Sequence, residues 1–189
     1  MSSGETPKKW MDKPPYRPVD PKEFGEVKWR GHCQCGRVEY HINREKPLMA
    51  KFCHCRGCQV LHGAPFQWCA VFHKTDLTFP KGAKDLVFYS SKEKSTEYMT
   101  PTKVACGYCR APIMDEGNNV CLLFPELINV EGSYDEEKHR KEAFMPKCHI
   151  FYEQRLVDVA DDLEKWSGMD GESERIDMYG KPLKEGEKL

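Results

Sequence analysis

No stretch of this 189-residue chain is apolar for long enough to span a bilayer. Its apolar runs are short, such as Val120–Phe124, where a membrane helix needs about 20 residues. The chain also lacks a block of like charge. Its 29 Lys and Arg balance 30 Asp and Glu, leaving a formal net charge of −1, and the basic residues are spread throughout. That removes the basic stripe with which proteins hold a phosphate backbone, so nucleic acid is not an expected partner. The opening residues, MSSGETPKKWMDKPPYRP, have no apolar segment of the secretory kind. Internal repeats are absent and helical periodicity is scarce. These gaps point to a cytoplasmic protein, with the nucleus as a second option.

What the chain does have is ten cysteines. A secreted disulfide scaffold would explain such a number. The spacing argues otherwise. Cys33-Gln34-Cys35 and Cys53-His54-Cys55-Arg56-Gly57-Cys58 crowd their thiols too closely to pair with one another without strain. Thiolate ligation of a metal is the reading that remains.

Around these clusters the pattern is β-rich. Arg37–Ile42 alternates as a strand does, and Phe66–Phe72 is aromatic and β-prone. Leu86–Tyr89, Glu97–Met99 and Lys103–Cys106 read as further strands, as does Lys147–Phe151. Asn118-Asn119 before Val120–Phe124 reads as a hairpin. Helical signals are confined to Cys58–His62, Asp135–Glu142 and Asp161–Trp166. Short strands at such spacing predict a mainly β domain of sandwiched or folded sheets over residues 27–166. Residues 1–26 hold five prolines and read as a loose N-terminal arm, which Trp10, Tyr16 and Phe24 could pin to the body. Residues 167–189 read as a charged, flexible tail.

Three motifs carry chemistry. In Gly31-His32-Cys33-Gln34-Cys35-Gly36, a strand places residues i and i+2 on one face. Tetrahedral zinc holds two thiolates about 3.8 Å apart, which Cys33 and Cys35 satisfy with little bending, and the flanking glycines ease close backbone approach. Cys106-Gly107-Tyr108-Cys109 is a C-x-x-C turn. A redox pair of the thioredoxin kind would need a βαβ setting, and no helix begins here. The third motif gathers Cys53, Cys55 and Cys58. Three thiolates leave one tetrahedral position open, as catalytic zinc requires, unless Cys69, His54, His62 or Cys121 closes it. Cys69, Cys121 and Cys148 otherwise read as buried core residues.

The order C-x-C-G, C-x-C-x-x-C, C-x-x-C resembles the glutathione-dependent formaldehyde-activating enzyme family, which also includes centromere protein V. Gly31–Val38 (GHCQCGRV) is similar to the family's opening strand. Cys106–Pro112 (CGYCRAP) is similar to its Cys-x-x-Cys-Gly-x-Pro turn, with Arg110 standing where the family usually has glycine. Cys148–Phe151, Asp161–Leu163 and Trp166 resemble its closing segment. The resemblance implies a β-tent fold of folded antiparallel sheets and two zinc ions per chain. Cys33, Cys35, Cys106 and Cys109 would hold a structural zinc, and Cys53, Cys55 and Cys58 a catalytic-type zinc. It implies a carbon–sulfur lyase of the S-(hydroxymethyl)glutathione synthase kind, acting on a small thiol such as glutathione or its adduct. Arg56 would attract the thiol's carboxylates, and His54 and His62 are candidate proton carriers. The competing reading is a non-catalytic zinc module for a protein or nucleic-acid partner.

Overall fold

The structure, a computed structural model, describes residues 9–129 and 134–184. In chain order the strands are β1 (Trp29–His32), β2 (Glu39–Ile42), β3 (Met49–Cys53), β4 (Gln67–His73), β5 (Leu77–Lys81), β6 (Leu86–Tyr89), β7 (Thr102–Cys106), β8 (Pro112–Glu116), β9 (Val120–Leu123), β10 (Ile128–Asn129), β11 (Cys148–Ile150) and β12 (Glu164–Lys165). The α-helices among the described residues are α1 (Pro21–Phe24), α2 (Arg56–His62) and α3 (Tyr134–Ala143). The fold is mainly β, as the pattern predicts.

The described residues divide into two compact units. The first takes in 9–45, 72–122 and 126–129, and the second 46–71, 123–125 and 134–184. Each unit carries one of the two cysteine motif sets.

In the first unit, β10-β1-β2-β5 form an antiparallel sheet. β2 buries Tyr40 and Ile42 and leaves Glu39 and His41 half-buried, the alternation read from the sequence. Gly31 in β1 lies directly opposite Tyr40, and a Cβ on Gly31 would fall inside the tyrosine ring. Its missing side chain thus makes room for a buried aromatic rather than for a metal. The neighbouring strands β9-β8-β7-β6 complete this unit's β-structure, and Gly117 closes the β8–β9 hairpin through its N–H to the Val120 carbonyl at 2.9 Å. Glu97–Met99, expected as a strand, is irregular. Tyr98 is instead turned into a ring cluster with Trp10, Tyr16 and Phe88, at centroid separations of 5.6, 6.0 and 5.0 Å. Tyr16 and Phe24 are buried, and α1 is capped by Asp20, which accepts from the Lys22 N–H at 2.8 Å.

In the second unit the strand order is β12-β11-β3-β4. β3 and β4 are antiparallel, whereas β11 runs parallel to both β3 and β12, so the sheet is mixed rather than purely antiparallel. Asp161–Trp166, expected as a helix, is a turn leading into β12. The reason is local: Lys165 folds its ammonium back onto the Asp161 and Leu163 carbonyls at 3.0 Å each, while the Trp166 N–H pairs with the His149 carbonyl at 2.9 Å. Residues 167–184 differ from the loose tail expected. Ser167, Ile176 and Leu183 donate backbone bonds to Glu174, Lys165 and Arg175, each at 2.9 Å, and Ile176 is buried.

Candidate metal centres

The first centre is built from two turns. Cys33 leaves β1 and closes its turn twice, through its N–H to the Val38 carbonyl at 3.0 Å and from the Gly36 N–H to its own carbonyl at 2.9 Å. Gly36 has φ 70°, a left-handed conformation that suits glycine. Cys106 ends β7, and the Arg110 N–H bonds its carbonyl at 3.0 Å, bringing Cys109 round to the same side. The four sulfurs of Cys33, Cys35, Cys106 and Cys109 lie within 4.8 Å of one another. Cys33 and Cys35 are 3.5 Å apart at Sγ, and Cys35 and Cys106 3.9 Å. These separations bracket the roughly 3.8 Å edge of a tetrahedron with Zn–S bonds of about 2.3 Å. Arg110 itself sits at φ 62°, in the left-handed region that favours glycine.

The second centre gathers Cys53 at the end of β3, Cys55 at the N-cap of α2, and Cys58 within α2. Their sulfurs again lie within 4.8 Å of one another, and Cys58 and Cys53 are 3.7 Å apart at Sγ. The Cys55 sulfur accepts from the Cys58 N–H at 3.4 Å, so it takes the place of a capping oxygen. Thiol hydrogen bonds from Cys53 and Cys58 hold Cys55 far below the usual thiol range. The same sharing pushes Cys53 up to about 12 and Cys58 higher still. Crowding thus opposes ionisation of all three sulfurs at once. A divalent cation is what lets all three ionise, and soft thiolates suit zinc. All ten cysteines are free thiols, so no disulfide competes for these sulfurs. Both clusters fit zinc: four donors complete one shell, and three leave another incomplete.

The remaining candidates are scattered. Arg56 opens α2 with an exposed side chain, and its N–H donates to Gln154 Oε1 at 2.8 Å. His62 ends α2, its ring edge-on to Phe124 at 4.9 Å. His54 is fully buried, with Nε2 2.8 Å from His149 Nδ1. Burial pushes the His54 imidazole down to about 4 and His149 below its ordinary range. Cys69, Cys121 and Cys148 are buried outside both clusters. Sequence reasoning sets His149 aside as structural or exposed for want of ligand spacing, and assigns no role to Asp161 or Lys165. His149 and Asp161 fall in the stretches that resemble the family's closing segment and Lys165 in neither; nothing in their spacing announces a contact.

Fold and sites together define a mainly β protein with one four-thiol and one three-thiol centre, both suited to zinc. The chain belongs to the glutathione-dependent formaldehyde-activating enzyme family, whose model matches residues 28–154. A crystal structure of a Rhodobacter sphaeroides protein is similar at a TM-score of 0.44 and 19% identity, covering 58% of this chain and 94% of that one. No curated protein matches the chain. None of the helices among the described residues is long and apolar enough to cross a membrane.

Proposed function

We propose that the protein is a zinc-dependent carbon–sulfur lyase that makes or breaks a thiol adduct of formaldehyde, with glutathione as the thiol. The observation that carries this reading is the composition of the second centre. Among the described residues, no fourth His, Cys, Asp or Glu donor joins Cys53, Cys55 and Cys58. His54, His62 and Cys69 stand in the same unit without joining the cluster, and Cys121 belongs to the other. Cys33, Cys35, Cys106 and Cys109 form a closed shell with a structural role.

A zinc ion on three thiolates supplies a coordination position at which a thiol loses its proton near neutral pH. In the overall reaction the S–C bond forms as the carbonyl π bond opens. The carbonyl oxygen takes up the proton that the thiol gave up, so atoms and charge balance. Arg56 offers an exposed guanidinium one residue from Cys55 for the carboxylates of glutathione. His62, half-buried at the far end of α2, is the candidate proton carrier; His54 is enclosed and plays another part, described below. Free thiolate centres need a reducing compartment, which supports a cytoplasmic or nuclear setting for a domain spanning residues 27–166.

The test is exchange NMR on glutathione with labelled formaldehyde. Zinc-loaded protein should accelerate interconversion of glutathione and its hydroxymethyl adduct, and Cys55→Ser should abolish the acceleration. An exchange rate no faster than the uncatalysed one would sink the enzymatic reading and leave a non-catalytic zinc module.

A further inference from the structure

Four buried or half-buried side chains are joined end to end in the second unit. Lys165 Nζ donates to Asp161 Oδ1 at 2.7 Å and to the Asp161 and Leu163 carbonyls at 3.0 Å each. Three donated bonds use all three hydrogens of an ammonium. The other carboxylate oxygen, Asp161 Oδ2, is 2.9 Å from His149 Nε2. His149 Nδ1 is 2.8 Å from His54 Nε2. Lys165, His149 and His54 are almost wholly shielded from solvent.

This arrangement fixes the tautomers. A carboxylate only accepts, so His149 carries a hydrogen on Nε2. The single negative charge of Asp161 already faces the Lys165 ammonium, and a second buried cation on His149 would lack a counter-charge. His149 is therefore neutral, and its Nδ1 accepts. His54 must then donate from Nε2, which leaves a lone pair on its Nδ1. That atom is buried and has no hydrogen-bond partner among the described residues.

His54 stands between two of the three sulfurs. Its N–H donates to the Ile150 carbonyl at 3.0 Å, and its own carbonyl accepts from Gln59 Nε2 at 2.7 Å. Its ring is packed among Phe66, His149 and Tyr152, with centroids 4.9, 5.1 and 4.9 Å away. Ring, N–H and carbonyl are all held. In extended chain, neighbouring side chains point to opposite faces, so anchoring His54 on one side commits Cys53 and Cys55 to the other.

We infer that Lys165, Asp161 and His149 are positioning residues that lock His54 in its Nε2–H tautomer and so hold the Cys53-His54-Cys55 turn ready for the metal. The inference rests on the reading of Cys53, Cys55 and Cys58 as a zinc centre. Asp161 and Lys165 lie beyond residues 28–154, the span the family model matches. Supports of this kind commonly change metal affinity by about 10–100-fold when removed.

The test combines two measurements on the zinc-loaded protein. Long-range proton–nitrogen NMR of ring-labelled histidines should show Nε2–H on both His54 and His149. Asp161→Asn gives position 161 an N–H₂ donor, so His149 should shift toward Nδ1–H and take His54 with it. Chelator competition should then find about tenfold weaker zinc at the three-cysteine centre, with the four-cysteine centre unchanged. A loss of packing alone would loosen the fold without moving the tautomers. A wild-type spectrum with Nδ1–H on His149 overturns the inference, as does an Asp161→Asn protein with unchanged tautomers and zinc affinity. Should that variant not fold, the wild-type spectrum decides. Neither measurement needs turnover, so a protein inactive on glutathione and formaldehyde would sink the proposed function and leave these readouts intact.

Discussion

The Tyr16 hydroxyl donates to Glu116 Oε2 at 2.6 Å, tying the segment before β1 to the end of β8 across 100 residues of sequence. The other carboxylate oxygen accepts from Lys74 Nζ at 2.6 Å and from the Tyr98 hydroxyl at 2.8 Å. The Glu116 side chain is wholly buried and that of Lys74 is 15% exposed. A buried carboxylate persists only with such partners, and here they come from three separated stretches of chain.

Glu116→Gln should therefore destabilise the first unit strongly. It leaves the largely buried Lys74 ammonium without its carboxylate, and removing one partner of a buried pair costs about 3 kcal/mol. Tyr16→Phe removes a single bond to a charged acceptor and should cost roughly 1.5 kcal/mol. Urea unfolding of the zinc-loaded protein measures both. A Glu116→Gln loss smaller than that of Tyr16→Phe would show that the ion pair contributes little.

The same site gives the protein an alkaline limit. Burial, reinforced by the charge of Glu116, pushes the Tyr16 phenol well above its ordinary range. Burial likewise raises Tyr40 and Tyr98. The sign is that of an acid whose folded pKa is raised. Its contribution is fully present below the unfolded value of about 10, and is lost as pH climbs above it. Phenolate absorbance of these residues should appear together with loss of circular dichroism, in one cooperative step. Tyr16→Phe should move that step to higher pH. Ionisation of all eight tyrosines in a protein that stays folded would contradict this.

Much of this architecture is legible in the sequence, and the exceptions have physical causes. β2, β6 and β7 announce themselves by alternation or β-prone runs, and each cysteine cluster by short spacing. β3 escapes because its burial along Met49–Cys53 does not alternate, whereas β11 falls inside the Lys147–Phe151 stretch read as a strand although all three of its residues are buried. Joining Cys33 and Cys35 to Cys106 and Cys109 took the family resemblance, since spacing alone cannot pair positions about 70 apart. The His54–His149 contact spans 95 residues and rests on parallel pairing of β11 with β3, which no local pattern encodes. Asp161–Trp166 reads as a helix because a fully buried lysine is a rare thing to expect.

Arg110 occupies a left-handed turn position at φ 62°, its N–H bonded to the Cys106 carbonyl. For a residue with a Cβ that conformation costs roughly 1–2 kcal/mol, part of which glycine's greater unfolded freedom offsets. Arg110→Gly should raise the unfolding free energy by about 0.5–1 kcal/mol, whereas Arg110→Ala, which keeps the strain, should bring no gain. Equal effects from the two substitutions in urea titrations would mean that backbone strain at this turn is negligible.

The two centres should respond differently to loss of one sulfur. Cys106 is completely buried at the end of β7, in a shell that needs all four donors. Cys106→Ser removes a ligand from a closed site whose metal affinity is folding free energy, on the order of 10 kcal/mol in small zinc domains. That variant should lose its zinc and its cooperative melting transition together. Cys55 is half-buried in a centre with only three sulfurs, and the backbone around it is held independently by the His54 bonds to Ile150 and Gln59. Cys55→Ser should drop the zinc content from two ions per chain to one and keep most of the melting temperature. Metal analysis with thermal denaturation separates the cases. If Cys55→Ser unfolds as completely as Cys106→Ser, the second zinc is a structural tie, and an open site for thiol chemistry loses its support.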